Sequence, residues 1–336
     1  GSFIKETDMK KWIISFAVIL ILCGIRFADP WFLDVVRLKA LDQHQRNQTE
    51  QSLDNLVTIE INNETLNKKG QWPWNREMLS KEIIRLYEAG AGMVVLPILF
   101  AQPDRFGGDD SLADVLSQTP TIIGQIPTTQ KDNSGVIRGV ATVGEPWNGW
   151  VYQYPGAIGP IPLLAEKSHA VGMMIIAPEK DGVVRRMPLV VAVGDQLYPA
   201  MSTEILRMVA GDISYQMKTG VAGVEKLRIP KFKMIDTDAH GNIWLDFKWK
   251  TPVHALHEEL PDLSGKIVIV SITASGLDSA VSTPVGVIYS HDLIGASVAT
   301  MMTGRNITRP YWTNLAELGS SFGLALLLMV VVLLLP

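Results

Sequence analysis

The sequence predicts an α/β protein with a central mixed, largely parallel sheet, flanking helices, and a transmembrane helix anchoring each end. Three observations predict it. Residues 12–27 (WIISFAVILILCGIRF) and 315–335 (LAELGSSFGLALLLMVVVLLL) are apolar and bracket a polar stretch of more than two hundred residues. From 56 to 126 strand-like and helix-like runs alternate, the β-α-β-α-β order that builds a parallel sheet with helices packed on it. Two short apolar runs, 93–100 (MVVLPILF) and 266–272 (KIVIVSI), have the length and composition of strands buried on both faces.

The second apolar segment has about the ~20 residues that a helix needs to cross a hydrocarbon core, and its one charge, Glu317, lies in its first turn. The first is shorter and carries Arg26, so its ends must snorkel to the interface. A cleaved signal peptide is the alternative, but Arg26, Asp29, Pro30 and Trp31 stand where a small-residue cleavage site belongs. Lys5, Lys10 and Lys11 place the N-terminus in the cytoplasm and the central region outside it, although Arg26, Arg37 and Lys39 weaken the asymmetry. The organisation read from this is a cytoplasmic N-terminus (1–11), a transmembrane helix (12–28), an extracytoplasmic domain (29–310) and a second transmembrane helix (315–335). Pro336 directly after an apolar run predicts further helices or a cytoplasmic part, and Gly1-Ser2 reads as a cloning remnant.

Within the domain, residues 31–46 have apolar side chains at helical spacing and 43–51 read as a polar loop. Residues 56–61 (LVTIEI) predict a strand, and 77–89 an amphipathic helix ended by Gly90 and Gly92. Pro97 predicts that regular pairing stops inside the 93–100 strand. Asp109 or Asp110 is expected to cap a helix reaching Gln118, followed by a strand at 121–126. Further strands are expected at 136–143, 172–176, 183–193 and 242–247, helices at 198–210 and 292–303, and turns at Asp181-Gly182, 238–241 and 283–286.

The net charge of −4 and the mean hydropathy of +0.17 average apolar helices with an ordinary soluble domain. The sole cysteine, Cys23, lies in the first apolar segment, so the domain has neither disulfides nor thiol chemistry. The densest basic stretch, 226–233, is interleaved with apolar residues, which argues against nucleic acid as a partner.

Several clusters are candidate sites. Asp104, Asp109 and Asp110 (PDRFGGDD) follow a buried strand, where ligands of open α/β folds bind; cap and turn roles are the alternative, and the spacing matches no calcium loop. In GKIVIVSITASGLD, Ser271, Thr273, Ser275 and Gly276 can present hydroxyls and backbone N–H groups to an anion and, with Asp278, edge a small-molecule pocket; an ordinary strand-to-loop connection is the alternative, and no phosphate-loop or dinucleotide spacing is present. Trp147 and Trp150, with Tyr152 and Tyr154, can cover a ligand, form an interface, or pin a long loop. His254, His257 and Glu258 read as a solvated helix face, and Trp72-Pro73-Trp74 as a structural latch. Gly319 and Gly323 form a G-x-x-x-G pair that lets another helix approach. No catalytic set assembles, and no cofactor or metal is expected.

The blocks QWPWNRE (71–77), AGAGMVVLPILFAQPD (89–104), DDSLADVL (109–116), DGVVRRMPL (181–189) and GKIVIVSITASGLDSAVSTPVG (265–286) resemble the type-two CHASE domain in order, over 31–305. The resemblance implies the sensory module of a bacterial inner-membrane receptor, its domain periplasmic or extracellular. It further implies a cue, either a small molecule or an envelope protein, relayed to a cyclase or kinase output by conformational or dimer rearrangement. Two stretches depart from the family's pattern: Pro97 stands where an acidic residue is frequent, and Ser290-His291-Asp292-Leu293-Ile294-Gly295-Ala296 replaces Gly-Val-Glu-x-His-Ala. Family sites at those positions are therefore not carried over. The competing readings are an envelope scaffold without small-molecule sensing and an envelope enzyme.

Overall fold

The computed structural model describes residues 12–13, 16–22, 24, 31–277, 279–304, 307 and 312–334. The elements used below, labelled in chain order, are α1 (Trp31–Arg46), β1 (Leu56–Ile61), α2 (Asn63–Lys69), α3 (Arg76–Glu88), β2 (Met93–Leu99), α4 (Asp109–Gln118), β3 (Thr121–Thr128), β4 (Gly156–Ile158), α5 (Pro162–Lys167), β5 (Ala170–Met173), α6 (Met201–Val209), β6 (Val253–Ala255), β7 (Ile267–Ile272), β8 (Ala280–Thr283), β9 (Gly286–Tyr289), α7 (Ser290–Thr303) and α8 (Thr313–Leu334).

A seven-stranded sheet in the order β6-β1-β7-β2-β3-β4, with β5 also on β3, forms the middle layer; every pairing is parallel except β3 with β4. Its strands bury both faces, so alternate residues serve different cores. Leu56, Val95 and Ile269 share one core with Ile205 of α6 and Leu293 of α7. Val57, Val94 and Val268 share the other with Ile83 of α3 and Leu112 of α4. This is why the strands read as continuous apolar runs rather than alternating ones. On the second face α2 and α3 start on side-chain caps: Asn62 accepts from Thr65 N at 2.9 Å, and Asn75 from Met78 N at 2.7 Å.

Pro97 acts as expected. The β7–β2 register runs from Ile267↔Met93 only to Ile269↔Val95, and the β2–β3 register slips between Leu96 and Leu99. A residue without an N–H cannot continue the ladder, so the carboxyl ends of β2 and β7 part.

Several local expectations are corrected. Residues 136–140 form no strand, because the Gln125 side chain takes the place of a partner: Val136 N donates to Oε1 at 2.7 Å and Nε2 donates to Val136 O at 3.1 Å. The single strand expected at 183–193 divides at Leu189; Arg186–Pro188 pairs with Asn242–Trp244, and Val190–Val193 with Gln196–Pro199. Tyr198 is therefore in a strand, as suits a residue before proline, and α6 begins only at Met201. A four-stranded sheet, Lys233–Asp236, Gly223–Ile229, Gln216–Gly220 and Ala141–Gly144 in that order, was not foreseen.

The chain divides into two compact units, residues 45–308 and the terminal residues 1–44 with 309–336. In the terminal unit Arg37 pairs with Asp34 at 2.9 Å and reaches Glu317 at 3.7 Å. Among the described residues no helix is long and apolar enough to cross a membrane. Of the expected anchor at 12–28, residues 12–13, 16–22 and 24 are described, and these are helical. α8 covers the second segment with 22 helical residues and exposes Phe322, Leu324, Leu327 and Val330.

Candidate functional site

Where β2 and β7 part, a cavity of about 210 Å³ lies at the carboxyl edge of the sheet. Pro97 and Ile98 of β2, Ser271 and Ile272 of β7 and Met173 of β5 form its sheet side. The carboxyl edge, where neighbouring strands part, is the place at which open α/β sheets bind ligands.

Two helices begin at this cavity. Ala200, Met201 and Ser202 bring the start of α6, and Ser290, His291 and Ile294 the start of α7. No side chain caps α6: Ala200 is its N-cap, and its own N–H is given to Leu189 O at 2.9 Å. The first-turn N–H groups of such a helix carry a partial positive charge. Gly172 sets how closely α6 approaches, since a Cβ there would lie 2.6 Å from Met201 Cα. The two helices are tied to each other by Ser297 Oγ donating to Ser202 Oγ at 3.0 Å, with both residues buried. At the start of α7, Tyr289 N donates to Asp292 Oδ2 at 3.2 Å, and the Tyr289 ring stacks on His291 with centroids 5.6 Å apart. His291 is buried, with Nε2 3.5 Å from Asp292 Oδ1.

Ser271 is the distinctive polar group. It is 2 % exposed, and its Oγ has no hydrogen-bond partner among the described residues. Strand alternation puts it on the face of Ile267 and Ile269, toward α6 and α7.

The other residues singled out in the sequence lie elsewhere. Asp104 does not face the cavity; its Oδ2 accepts from Arg76 N at 2.7 Å and its Oδ1 from Phe106 N at 3.1 Å, closing the start of α3. Burial pushes its carboxyl up, but those two N–H bonds and the charges of Arg76 and Arg105 outweigh it and hold it below the usual range. Asp109 caps nothing, a correction: Gly108 is the N-cap of α4, because the Asp109 carboxylate is spent on Asp104 N at 2.8 Å and on Arg76 Nε at 3.5 Å. Trp147 and Trp150 pack half-buried against the first core. Trp150 also covers Gly223, where a Cβ would meet its ring at 2.7 Å, and its carbonyl accepts from His240 Nδ1 at 2.7 Å. They pin the loop.

Ser275 is engaged by Asn63 through a reciprocal pair, Asn63 Nδ2 to Ser275 Oγ at 2.9 Å and Ser275 N to Asn63 Oδ1 at 3.0 Å. Gly276 sits in an exposed turn with φ 83°, and Thr273, half-buried, follows Ser271 out of the sheet. Asp278 lies outside the described residues. His254 is in strand β6 and not on a helix, since Val253–Ala255 adds to the edge of β1; His257 Nδ1 is hydrogen-bonded to Thr65 Oγ1 at 2.9 Å. Gly319 and Gly323 are exposed on α8, with no atom within 4 Å of a Cβ built at either. Among the described residues no group of His, Cys, Asp and Glu is placed to hold a metal ion.

The sequence pointed to Ser271 but not to its neighbours in space. The methionines Met173, Met174, Met187 and Met201, and Ser202 with Ser290-His291, come from four separate stretches. A serine ending an otherwise apolar buried strand, and a proline inside another, were the available signals.

The chain matches the CHASE2 domain family over residues 17–335, nearly its whole length, and it belongs to that family. CHASE2 domains are the extracellular sensory domains of membrane receptors. No curated protein and no solved structure matches it significantly.

Proposed function

We propose, from its membership of the CHASE2 family, that this chain is the sensory module of a bacterial transmembrane receptor. Its domain faces the periplasm or exterior, and the segments 12–28 and 315–335 anchor it in the inner membrane. A cue acting at the cavity is relayed to a cytoplasmic output, a cyclase or a histidine or serine/threonine kinase, by conformational or dimer rearrangement. The anchoring rests on the apolar length of the two segments, and the sensing on the cavity itself. That cavity is walled by the start of α7, and nine residues, 304–312, join α7 to α8.

The incoming chain is tied to the same region. Gln45 Nε2 donates to Leu245 O at 2.9 Å, Phe247 N donates to Gln45 Oε1 at 3.2 Å, and Arg46 Nε donates to Pro284 O at 2.6 Å in the β8–β9 hairpin. That hairpin feeds directly into α7. A cue that binds one arrangement of α7 better than another shifts the population of that arrangement. The two chain connections are where such a shift leaves the domain.

Two measurements test this. Protease added to intact spheroplasts should cleave the central domain; a protected domain overturns the placement. Cysteine pairs introduced along 313–334, in a Cys23→Ser background in membranes, should change their crosslinking when Ser271→Phe fills the cavity. An unchanged pattern in a folded Ser271→Phe protein overturns the relay.

A further inference from the structure

We propose that the cavity binds a small, uncharged amphipathic molecule: an apolar body with a single oxygen head group, such as an alcohol, ketone or lactone. The proposal deepens the sensory reading by naming the ligand class, and it rests on that reading for its biological role.

Size sets the first limit. About 210 Å³ falls below the roughly 300–1,000 Å³ of pockets for drug-sized ligands. The lining sets the second. It is dominated by apolar side chains, including the four methionines, whose unbranched thioethers adapt to ligand shape. Among the described residues no Lys, Arg, Asp or Glu lines it.

Charge sets the third. An ion buried without a countercharge is strongly disfavoured. A carboxylate would find no Lys or Arg in the lining. An ammonium would meet the positive ends of α6 and α7 instead. Neither ion meets a Lys, Arg, Asp or Glu side chain in the lining, and for a carboxylate the His291 imidazole and the two helix starts are the favourable groups, which makes hexanoate the sharper comparison.

A neutral oxygen needs no countercharge and finds a hydroxyl. Ser271 Oγ is buried at the sheet side of the cavity without a protein partner, and it can both donate and accept. The start of α6, which no side chain caps, adds the positive end of its helix dipole. The head group thus belongs between β7 and the helix starts, and the body against the methionines.

The experiment uses the full chain in detergent with its methionine methyls ¹³C-labelled, read by NMR and titrated with 1-hexanol, hexanoate and hexylamine. Met173, Met174, Met187 and Met201 report the cavity directly, free of ligand partitioning into micelles. Expected are saturable shifts of these methyls with 1-hexanol, and binding of hexanoate and hexylamine at least about tenfold weaker. Ser271→Val should weaken 1-hexanol by about 3- to 10-fold, the value of one neutral hydrogen bond, and Ile294→Trp, filling the cavity, should abolish its shifts. Ser271→Val replaces the hydroxyl with two methyl groups, so unshifted parent spectra at the other methionines are needed to establish that it folds. The proposal is overturned if either ion binds as tightly as 1-hexanol, if none of the three moves the cavity methyls, or if Ser271→Val leaves the affinity unchanged. The two readings fail separately. Methyls unmoved by 1-hexanol, with Ser271→Phe still altering crosslinking, reject the ligand class alone; saturable 1-hexanol binding with unaltered crosslinking rejects the relay alone.

Discussion

α6 carries the uncapped start that walls the cavity, and it also carries a buried ion pair whose arginine ties the end of the helix to the loop that follows. Glu204 is 0 % exposed, and its Oε2 accepts from Arg207 Nε at 3.0 Å and Nη2 at 2.8 Å, one turn along the helix. Arg207, 6 % exposed, also donates from Nη1 to Asp212 O at 2.6 Å. Burial lowers the pKa of Arg207, but the charge and hydrogen bond of Glu204 outweigh it and hold the guanidinium protonated. Tyr215, buried nearby, supplies no countercharge, since burial and then the Glu204 charge push its phenol well above the usual range. Glu204→Gln therefore leaves a desolvated guanidinium without a carboxylate. Removing one partner of a buried pair costs about 3–5 kcal/mol, which for a domain of this size lowers Tm by roughly 6–20 °C. Arg138 Nε, 3.3 Å from Glu204 Oε1, is half-exposed and stays hydrated when the carboxylate is lost. The double variant Glu204→Leu/Arg207→Met removes both charges, and an apolar pair of similar volume should return stability to within about 2 kcal/mol of the parent. Thermal melts followed by circular dichroism, with urea titrations for the four corners of the cycle, give the coupling energy. A Glu204→Gln melt within about 2 °C of the parent, or a double variant as unstable as the two single losses added, refutes the argument.

Three further outcomes are expected. Arg185 hydrogen-bonds hold the Asp181 carboxyl below its ordinary range, against burial and with help from Val183 N–H. A depressed carboxyl stabilises the fold above its unfolded pKa of about 3.9 and loses that contribution as pH falls through the folded value; Tm against pH should thus fall less steeply on the acid side in Asp181→Asn than in the parent, and equal slopes count against it. Gly172→Val places atoms against the Met201 backbone and should cost about 1–3 kcal/mol while shifting the Met201 methyl resonance; an unmoved resonance rejects the close β5–α6 contact. Gly319→Leu with Gly323→Leu should change cysteine crosslinking along 313–334 in membranes, and an unchanged pattern rejects a helix contact at that face.

The central sheet was legible because it is buried on both faces. Runs such as LVTIEI, MVVLPILF and KIVIVSI have one physical explanation each, and β1, β2 and β7 lie within a residue of where they were placed. The four-stranded sheet was not legible: Gly223–Ile229 mixes buried Val224 and Leu227 with exposed Glu225 and Arg228, and a register shift at Lys218/Thr219 breaks the period of its partner. The site was half legible. A hydroxyl at the end of a buried strand and a proline inside another are sequence-visible, but α6 reaches them from more than sixty residues away and α7 from beyond an intervening hairpin. His257 shows the opposite error, in which a plausible pair at helical spacing fell on a strand edge and a turn.

Pro97 and the 290–296 stretch, both singled out in the sequence, meet at this cavity. Pro97 ends the β2–β7 ladder and so opens the space, and Ser290, His291 and Ile294 close it from the other side. The segment between β7 and α7 is the β8–β9 hairpin, and the hairpin is what Arg46 holds. A ligand head at Ser271 therefore sits one element away from the attachment of the incoming chain and at the first turn of the outgoing helix. Because α7 is packed, with Leu293, Ile294 and Val298 in the first core, a shift at its start is carried along the helix as a body and through the hairpin that precedes it. A neutral ligand suits this arrangement, because its differential affinity comes from hydrogen bonds and methionine packing that depend on where α7 sits, and not from a long-range charge that every arrangement would feel alike.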